Sequence, residues 1–454
     1  MAQIVRDQSG NTGLSHPLGV WVFLFLAGTL SSTSQLKFAS VQYLEFIYFF
    51  QILLLLCYFV KQGFKARLYR PSFVLGRFYL IFLAIALILV LVSLRFDFYV
   101  PRNTGLLFGP VFVSVSRAVE FAIDVGAMLY LIEVFRQDRA TIIFTMRLYF
   151  WTGVSSAVYS ILRDPVNLLN IFNLRSYDTL SRMTGYGNEG GPYGTYLVSV
   201  VLVGAVLYRM RWNKQSHLFV AYFLIAIAFL GSRSKASVLA LAMTVLLNAV
   251  LAQGIRKRLV ILAVCGVAVL TLASFMDLNQ VLVDYQRTSQ RYEYLSHYHY
   301  KDENFVTGRV AGGFIVPRMI AAHPLLGIGW GNYALVRNSP QYRGAAAWSN
   351  DIDAPGLGLL GPVAELGVPL SLYLFFIFLC PYFYMRRIGA PLYLKNLALV
   401  QPIAHLFGAQ FNLTYPWIVT AFALGLGYFH VHSASQVNTF DELSPTTQPL
   451  SASL

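Results

Sequence analysis

Apolar segments long enough to cross a bilayer recur along nearly the whole of this 454-residue chain. Lipid offers no water to satisfy backbone N–H and C=O groups, so runs of about 18 or more apolar residues fold as helices bonded within themselves. A transmembrane barrel would show short segments of alternating hydrophobicity instead. Composition agrees, since 57% hydrophobic and 12% charged residues cannot clothe a water-soluble globule. The expected fold class is an all-α polytopic membrane protein with about 12 transmembrane helices. In chain order the spans are 18–34, 41–60, 73–94, 109–133, 141–162, 192–208, 217–232, 235–252, 259–275, 356–383, 396–412 and 416–433.

A net charge of +14 raises the question of nucleic acid, but the basic residues sit between apolar segments. Lys61, Lys65, Arg67 and Arg70 follow the second span, and Arg136 and Arg139 the fourth. Arg209, Arg211 and Lys214 follow the sixth, Arg256, Lys257 and Arg258 the eighth, and Arg386, Arg387 and Lys395 the tenth. The short loops of opposite parity hold only Lys37, Arg95, Arg102 and Arg233. This is the positive-inside bias, and it predicts that both termini are cytoplasmic. The partner it implies is the lipid bilayer, not nucleic acid. Cys57, Cys265 and Cys380 all lie in apolar runs, which predicts neither a disulfide framework nor a thiolate metal site. Arg6 and Asp7 precede the first apolar run, which reads as a retained helix.

The chain divides into spans one to nine (1–275), a hydrophilic stretch (276–355), spans ten to twelve (356–433) and a tail (434–454) rich in Ser, Thr, Pro and Gln that reads as disordered. The hydrophilic stretch falls on the extracytoplasmic side, as a large loop between spans nine and ten. It interleaves Tyr294 and Tyr298 with Arg287, Arg291, His297 and His299. Tyrosine rings suit stacking on sugars, and an interfacial aromatic belt would look similar. The two histidines lack further ligands, so no zinc is expected. Thr307 is placed to cap a helix starting near Arg309, with Pro317 inside it and His323-Pro324 ending it. Nine positions separate Arg318 from Arg309, or about 180° around that helix. The glycines at 327, 329 and 331 are not a dinucleotide fingerprint, because no βαβ unit surrounds them.

Four further features face the same side or line the spans. The loop 163–191 carries Arg182 and several glycines, which either make a turn or let a bulky substrate approach the backbone. Arg233, in the hairpin Gly231-Ser232-Arg233-Ser234, either snorkels to the interface or serves function. Arg117, Glu120 and Asp124 share one face of span four, as an ion-pair network or the lining of a polar cavity. Gln401 and His405, four apart in span eleven, read as structural.

Thr307-Gly308-Arg309, followed by His323-Pro324-Leu325-Leu326-Gly327-Ile328-Gly329-Trp330-Gly331, resembles the O-antigen ligase and Wzy-type polysaccharide polymerase superfamily. Ala364-Glu365-Leu366-Gly367 looks like that family's "aElG" element, and Gly231-Ser232-Arg233-Ser234 like its "SRs". The glycine-rich stretch 185–194 also stands before a span, so the resemblance covers about 165–385. It implies a scaffold similar to C-type glycosyltransferases (GT-C-like) and a polyprenyl-diphosphate-linked oligosaccharide as donor. It further implies a metal-independent reaction with no cofactor, beside a flippase and a chain-length regulator. Charge builds on the leaving diphosphate, and arginines are the expected counter-charge. Arg309 and Arg233 are the first candidates, followed by Arg117, Arg182 and Arg318. The acceptor hydroxyl needs a general base, for which Asp351, Asp353, Glu365 and His323 stand open. Tyr294, Tyr298 and Trp330 are the candidate sugar-stacking rings. The ligase branch has a His-Asn pair shortly before the E-L-G glutamate, where this chain has Pro355-Gly356. That departure favours a polymerase over a ligase, while a transporter is a third class consistent with charges inside spans.

Overall fold

Helices begin and end close to where the apolar runs do. The computed structural model describes residues 70–93, 96, 110–166, 183–185, 190–210, 215–251, 309–344, 348–349, 358, 360–406 and 413–442. Spans one, two and nine, along with Arg182, Tyr294, Tyr298, Asp351 and Asp353, lie outside the described residues. We number the helices α1 Arg70–Ser93, α2 Pro110–Phe135, α3 Arg139–Val166, α4 Gly190–Arg209, α5 Gln215–Gly231 and α6 Lys235–Leu251. They continue as α7 Arg309–Ala322, α8 Tyr333–Val336, α9 Pro340–Arg343, α10 Leu360–Arg387, α11 Leu392–Leu406 and α12 Tyr415–Glu442. No strand occurs among the described residues.

Among the described residues, three helices are long and apolar enough to cross a membrane, at Ser72–Leu91, Gly190–Arg209 and Leu360–Arg387. In α1 the rings of Tyr79 and Phe82 are buried, while Leu80, Ile81, Ile88 and Leu91 are exposed apolar side chains. A greasy outer stripe of that kind would be a liability in water and is ordinary in lipid. The bundle is built around α12, whose residues 415–427 are buried without interruption. A helix that is apolar all round has no solvent face to present and takes the centre. Trp417 of α12 packs its ring against Tyr79, Phe121 and Phe378, at centroid distances of 5.6, 5.2 and 5.9 Å. Gln401 and His405 are buried beside it: Thr420 Oγ1 donates to Gln401 Oε1 at 3.2 Å, and the imidazole stacks on Phe378 at 4.7 Å. The expected structural reading of that pair fits this placement.

The composition of the tail suggests an end to the helix near His432, but α12 runs on to Glu442. Once nucleated, a helix gains one hydrogen bond for each residue it fixes, so a weakly helical sequence is carried along for some turns. α7 ends at Ala322, directly before His323-Pro324, and contains Pro317 as expected.

Contacts between helix starts place several loops at one end of the bundle. Ser114, near the start of α2, donates to the Trp330 carbonyl at 2.6 Å. Tyr415, the first residue of α12, donates its hydroxyl to Thr195 Oγ1, near the start of α4, at 2.7 Å. Helices of 20–28 residues are about 30–42 Å long. The basic ends at Arg209 and Arg386-Arg387 therefore lie at the opposite end of the bundle from those starts.

Candidate functional site

The site is built on a break in α10. Gly367 sits at φ 76°, ψ 165°, a region of backbone space essentially restricted to glycine. In an unbroken helix the Glu365 carbonyl would accept from residue 369, but Pro369 has no N–H. The carbonyls of Ala364 and Glu365 instead accept from the backbone N–H groups of Ile328 (3.0 Å) and Gly329 (2.9 Å). In return, the Val368 N–H donates to the Pro324 carbonyl at 2.8 Å. The turn of 324–329 thus pairs with the broken helix through its backbone. The two chains meet at Gly327 and Gly367, where a Cβ on Gly327 would stand 2.3 Å from the Glu365 carbonyl oxygen. The glycines at 327, 329 and 331 all have positive φ, of 64°, 95° and 76°. These glycines serve backbone geometry and close approach.

The Glu365 side chain completes the joint. Its Oε1 accepts the Tyr333 N–H at 3.1 Å, and the carboxylate also accepts from the Gly331 backbone. Arg117 lies close enough to act on it electrostatically while pairing with Glu120 at 3.0 Å. Arg117 also packs under Gly331, where a Cβ would come within 2.9 Å of its Cγ. Span four thus contributes an ion pair seated under the loop. The carboxylate that was a candidate base anchors two backbone amides. We expect Glu365→Ala to destabilise the protein by roughly 2 kcal/mol, because buried amides are left without acceptors. Glu365→Gln keeps an acceptor and should melt close to the parent in detergent. An unchanged melting temperature with abolished turnover in Glu365→Gln would restore the role of base.

Trp330 is 3% exposed, its indole packed on Phe82 and Phe121 at 5.5 and 5.4 Å. A ring so enclosed has no face left for a sugar, so its assignment to sugar stacking is corrected to a core role. It seats the glycine turn on the apolar bundle. Trp348, by contrast, is 45% exposed, with the Arg343 guanidinium 5.6 Å over its ring. An exposed indole carrying a stacked cation has the amphipathic face that sugar recognition uses.

Beyond the turn, α8 and α9 form a small second core with α7 that includes Ile315, Met319, Ile328, Tyr333 and Tyr342. Tyr342 holds two sequence candidates together. Its hydroxyl is 2.7 Å from His323 Nε2, and its carbonyl accepts from Arg318 Nη1 at 3.3 Å. The His323 ring also meets Phe96 edge-on at 4.9 Å. Burial lowers the His323 pKa below its ordinary value of 6.5, so the imidazole is neutral at pH 7 and keeps a lone pair. Arg337 is fully buried, its guanidinium 5.8 Å over the Tyr333 ring, and Asn338 clamps the Ser349 backbone at 2.6 and 3.0 Å. Neither was singled out in the sequence, where only the four-residue spacing of Tyr333 and Arg337 on one helix face hints at the contact.

The serine hairpin forms a second cluster. Met183 N–H donates to the Gly231 carbonyl at 3.0 Å, and Ser234 Oγ reaches the Gly191 carbonyl at 3.4 Å. Gly194 packs against Ser232 and Ser237, where a Cβ would come within 2.9 Å of either hydroxyl. Ser234 caps α6 by accepting the Ser237 N–H at 3.2 Å. Arg233 is exposed at φ 46°, the one non-glycine residue with positive φ among those described. Its backbone is held in a conformation L-residues avoid, at a cost of about 1 kcal/mol or more. The glycine stretch and the serine hairpin, separate in sequence, are one packed unit. Arg309 is the first residue of α7.

No protein-family model matches the chain, and no curated protein matches it. What the arrangement can do chemically therefore rests on its own residues. Around Tyr342 it presents an exposed arginine at 318, an imidazole at 323 and an exposed indole at 348, while the exposed Arg233 stands on the separate serine hairpin. Such a set can hold an anion, accept a proton from a hydroxyl and face a sugar ring.

Proposed function

We propose that this chain is a membrane glycosyltransferase of the polysaccharide-polymerase type. It transfers a glycan from polyprenyl diphosphate to a sugar hydroxyl of a second lipid-linked repeat unit. The setting is the outer face of a bacterial inner membrane, on a GT-C-like scaffold of about 12 spans with both termini cytoplasmic. The observation that carries this reading is the joint between 324–333 and 364–368. These are two of the motifs on which the family resemblance stands, and they pair backbone to backbone at the end of the bundle opposite the basic helix ends. The serine hairpin, a third motif, docks on the glycine stretch.

In this reading the diphosphate binds outward-facing arginines, Arg309 foremost. Among the described residues, the His323 imidazole, held beside the Tyr342 hydroxyl, is the candidate to accept the proton of the acceptor hydroxyl. The test is a strain lacking the gene. Single repeat units should still reach their final acceptor while long chains disappear. Loss of attachment itself, with long lipid-linked chains accumulating, would make the protein a ligase instead.

A further inference from the structure

At the end of the bundle opposite the glycine turn, a groove of about 550 Å³ opens between α1 and α10. Its walls are Val74, Leu75 and Phe78 of α1, Cys380, Pro381, Tyr384, Arg387 and Ile388 of α10, and Leu424 of α12. From Cys380 to Ile388 it follows two turns of helix, about 12 Å. We propose that this groove binds one acyl chain of an anionic glycerophospholipid, with the lipid phosphate on Arg387.

Three observations carry the assignment. Arg387 is the one charged residue in the lining, stands at the terminal end of α10, and among the described residues has no carboxylate partner. A guanidinium at the headgroup level of a bilayer meets phosphate as its natural bidentate partner. Secondly, the remainder of the groove is almost wholly apolar and leads from that cation towards the middle of the span, which is the path of a lipid tail. Pro381, which has no N–H to donate to the Ile377 carbonyl, lines the groove at this point. Thirdly, α1 marks the same depth as an interface. Arg77 is exposed among lipid-facing residues and turns its guanidinium back over Phe73, 5.3 Å from the ring, towards the start of its helix. That is how a basic side chain snorkels to the headgroups. The membrane interface and its basic rim attract anionic lipids over zwitterionic ones. The proposal needs the membrane reading alone and is independent of glycosyl transfer.

The experiment is native mass spectrometry of the full chain in detergent, titrated with phosphatidylglycerol and separately with phosphatidylcholine. The parent should retain phosphatidylglycerol in preference by about tenfold, the worth of one charge-assisted contact. Arg387→Gln should abolish the preference, whereas Arg386→Gln, the neighbouring cation outside the lining, should keep it. Val74→Trp, at an exposed wall position, should fill the groove and reduce retention of both lipids with the melting temperature unchanged. Equal losses in Arg386→Gln and Arg387→Gln would reduce the effect to general surface charge and overturn the site. Unchanged retention in Val74→Trp would mean that another part of the chain, or nothing, occupies the groove, and the proposal would fall. Polymer formation is a separate readout, so failure here leaves the glycosyltransferase reading as it stood.

Discussion

Gly367→Ala is expected to detach the glycine turn from the bundle and abolish activity. The backbone of Gly367 lies where a Cβ costs about 1–3 kcal/mol for conformation alone. That Cβ would also stand 2.2 Å from the Leu325 carbonyl oxygen and 2.9 Å from the Leu326 nitrogen. These are backbone atoms, and relieving the clash means separating the two segments. Three backbone hydrogen bonds then go, namely Ile328 to Ala364, Gly329 to Glu365 and Val368 to Pro324. The expected loss of local stability is about 4 kcal/mol or more, in the range reserved for identifiable structural failures. Hydrogen exchange at the amides of Ile328 and Gly329 should rise on the order of a hundredfold or more. Gly313→Ala provides the matched control. Gly313 is a helical glycine of α7 whose added Cβ would meet nothing within 4 Å, so alanine should stabilise it by about 0.5–1 kcal/mol. Equal exchange in Gly367→Ala and the parent would show that the joint is not what holds the turn.

How much of this was legible in the sequence depends on which physical signal a residue leaves. Hydropathy finds helices because lipid enforces them, and α1 to α6 and α10 to α12 fall on the expected segments. The limits of α7 were readable too, since the expected start near Arg309 and stop before His323-Pro324 are set by local backbone chemistry. The break in α10 was not, because the largely apolar segment runs on past Gly367 and hydropathy is blind to φ. Pro369 was the usable clue, as it leaves the Glu365 carbonyl without its helical donor. Trp330 misled for a related reason. A tryptophan among glycines in a polar stretch looks like a binding ring, yet the glycines let the backbone turn and drive the indole into the core. The burial of Arg337 left almost no trace, because a buried arginine is defined by tertiary neighbours that no local pattern encodes.

Arg309→Ala should abolish polymer formation while the protein still inserts at normal levels. Arg309 begins α7, where the first N–H groups have no helical partner and the helix dipole favours an anion. Gly308, immediately before it in the sequence, carries no side chain that could obstruct a phosphate. In the proposed transfer, negative charge grows on the departing diphosphate as the glycosidic bond breaks, and a fixed guanidinium stabilises that charge more than it stabilises the substrate. Losing such a contact costs about 3–4 kcal/mol, or roughly 100- to 1000-fold in rate. Arg309→Lys restores the charge without the planar fork and should recover little of the loss. Arg318 is the natural comparison. It lies about half a turn round the same helix, is exposed, and already donates to the Tyr342 carbonyl. Arg318→Ala should therefore be milder, acting through the seating of Tyr342 and with it the orientation of His323. The measurement is polymer made from purified lipid-linked repeat units in detergent without added divalent metal. Near-normal turnover by Arg309→Ala, together with a dead Arg318→Ala, would move the diphosphate to the Tyr342 side of α7 and place the leaving group beside His323.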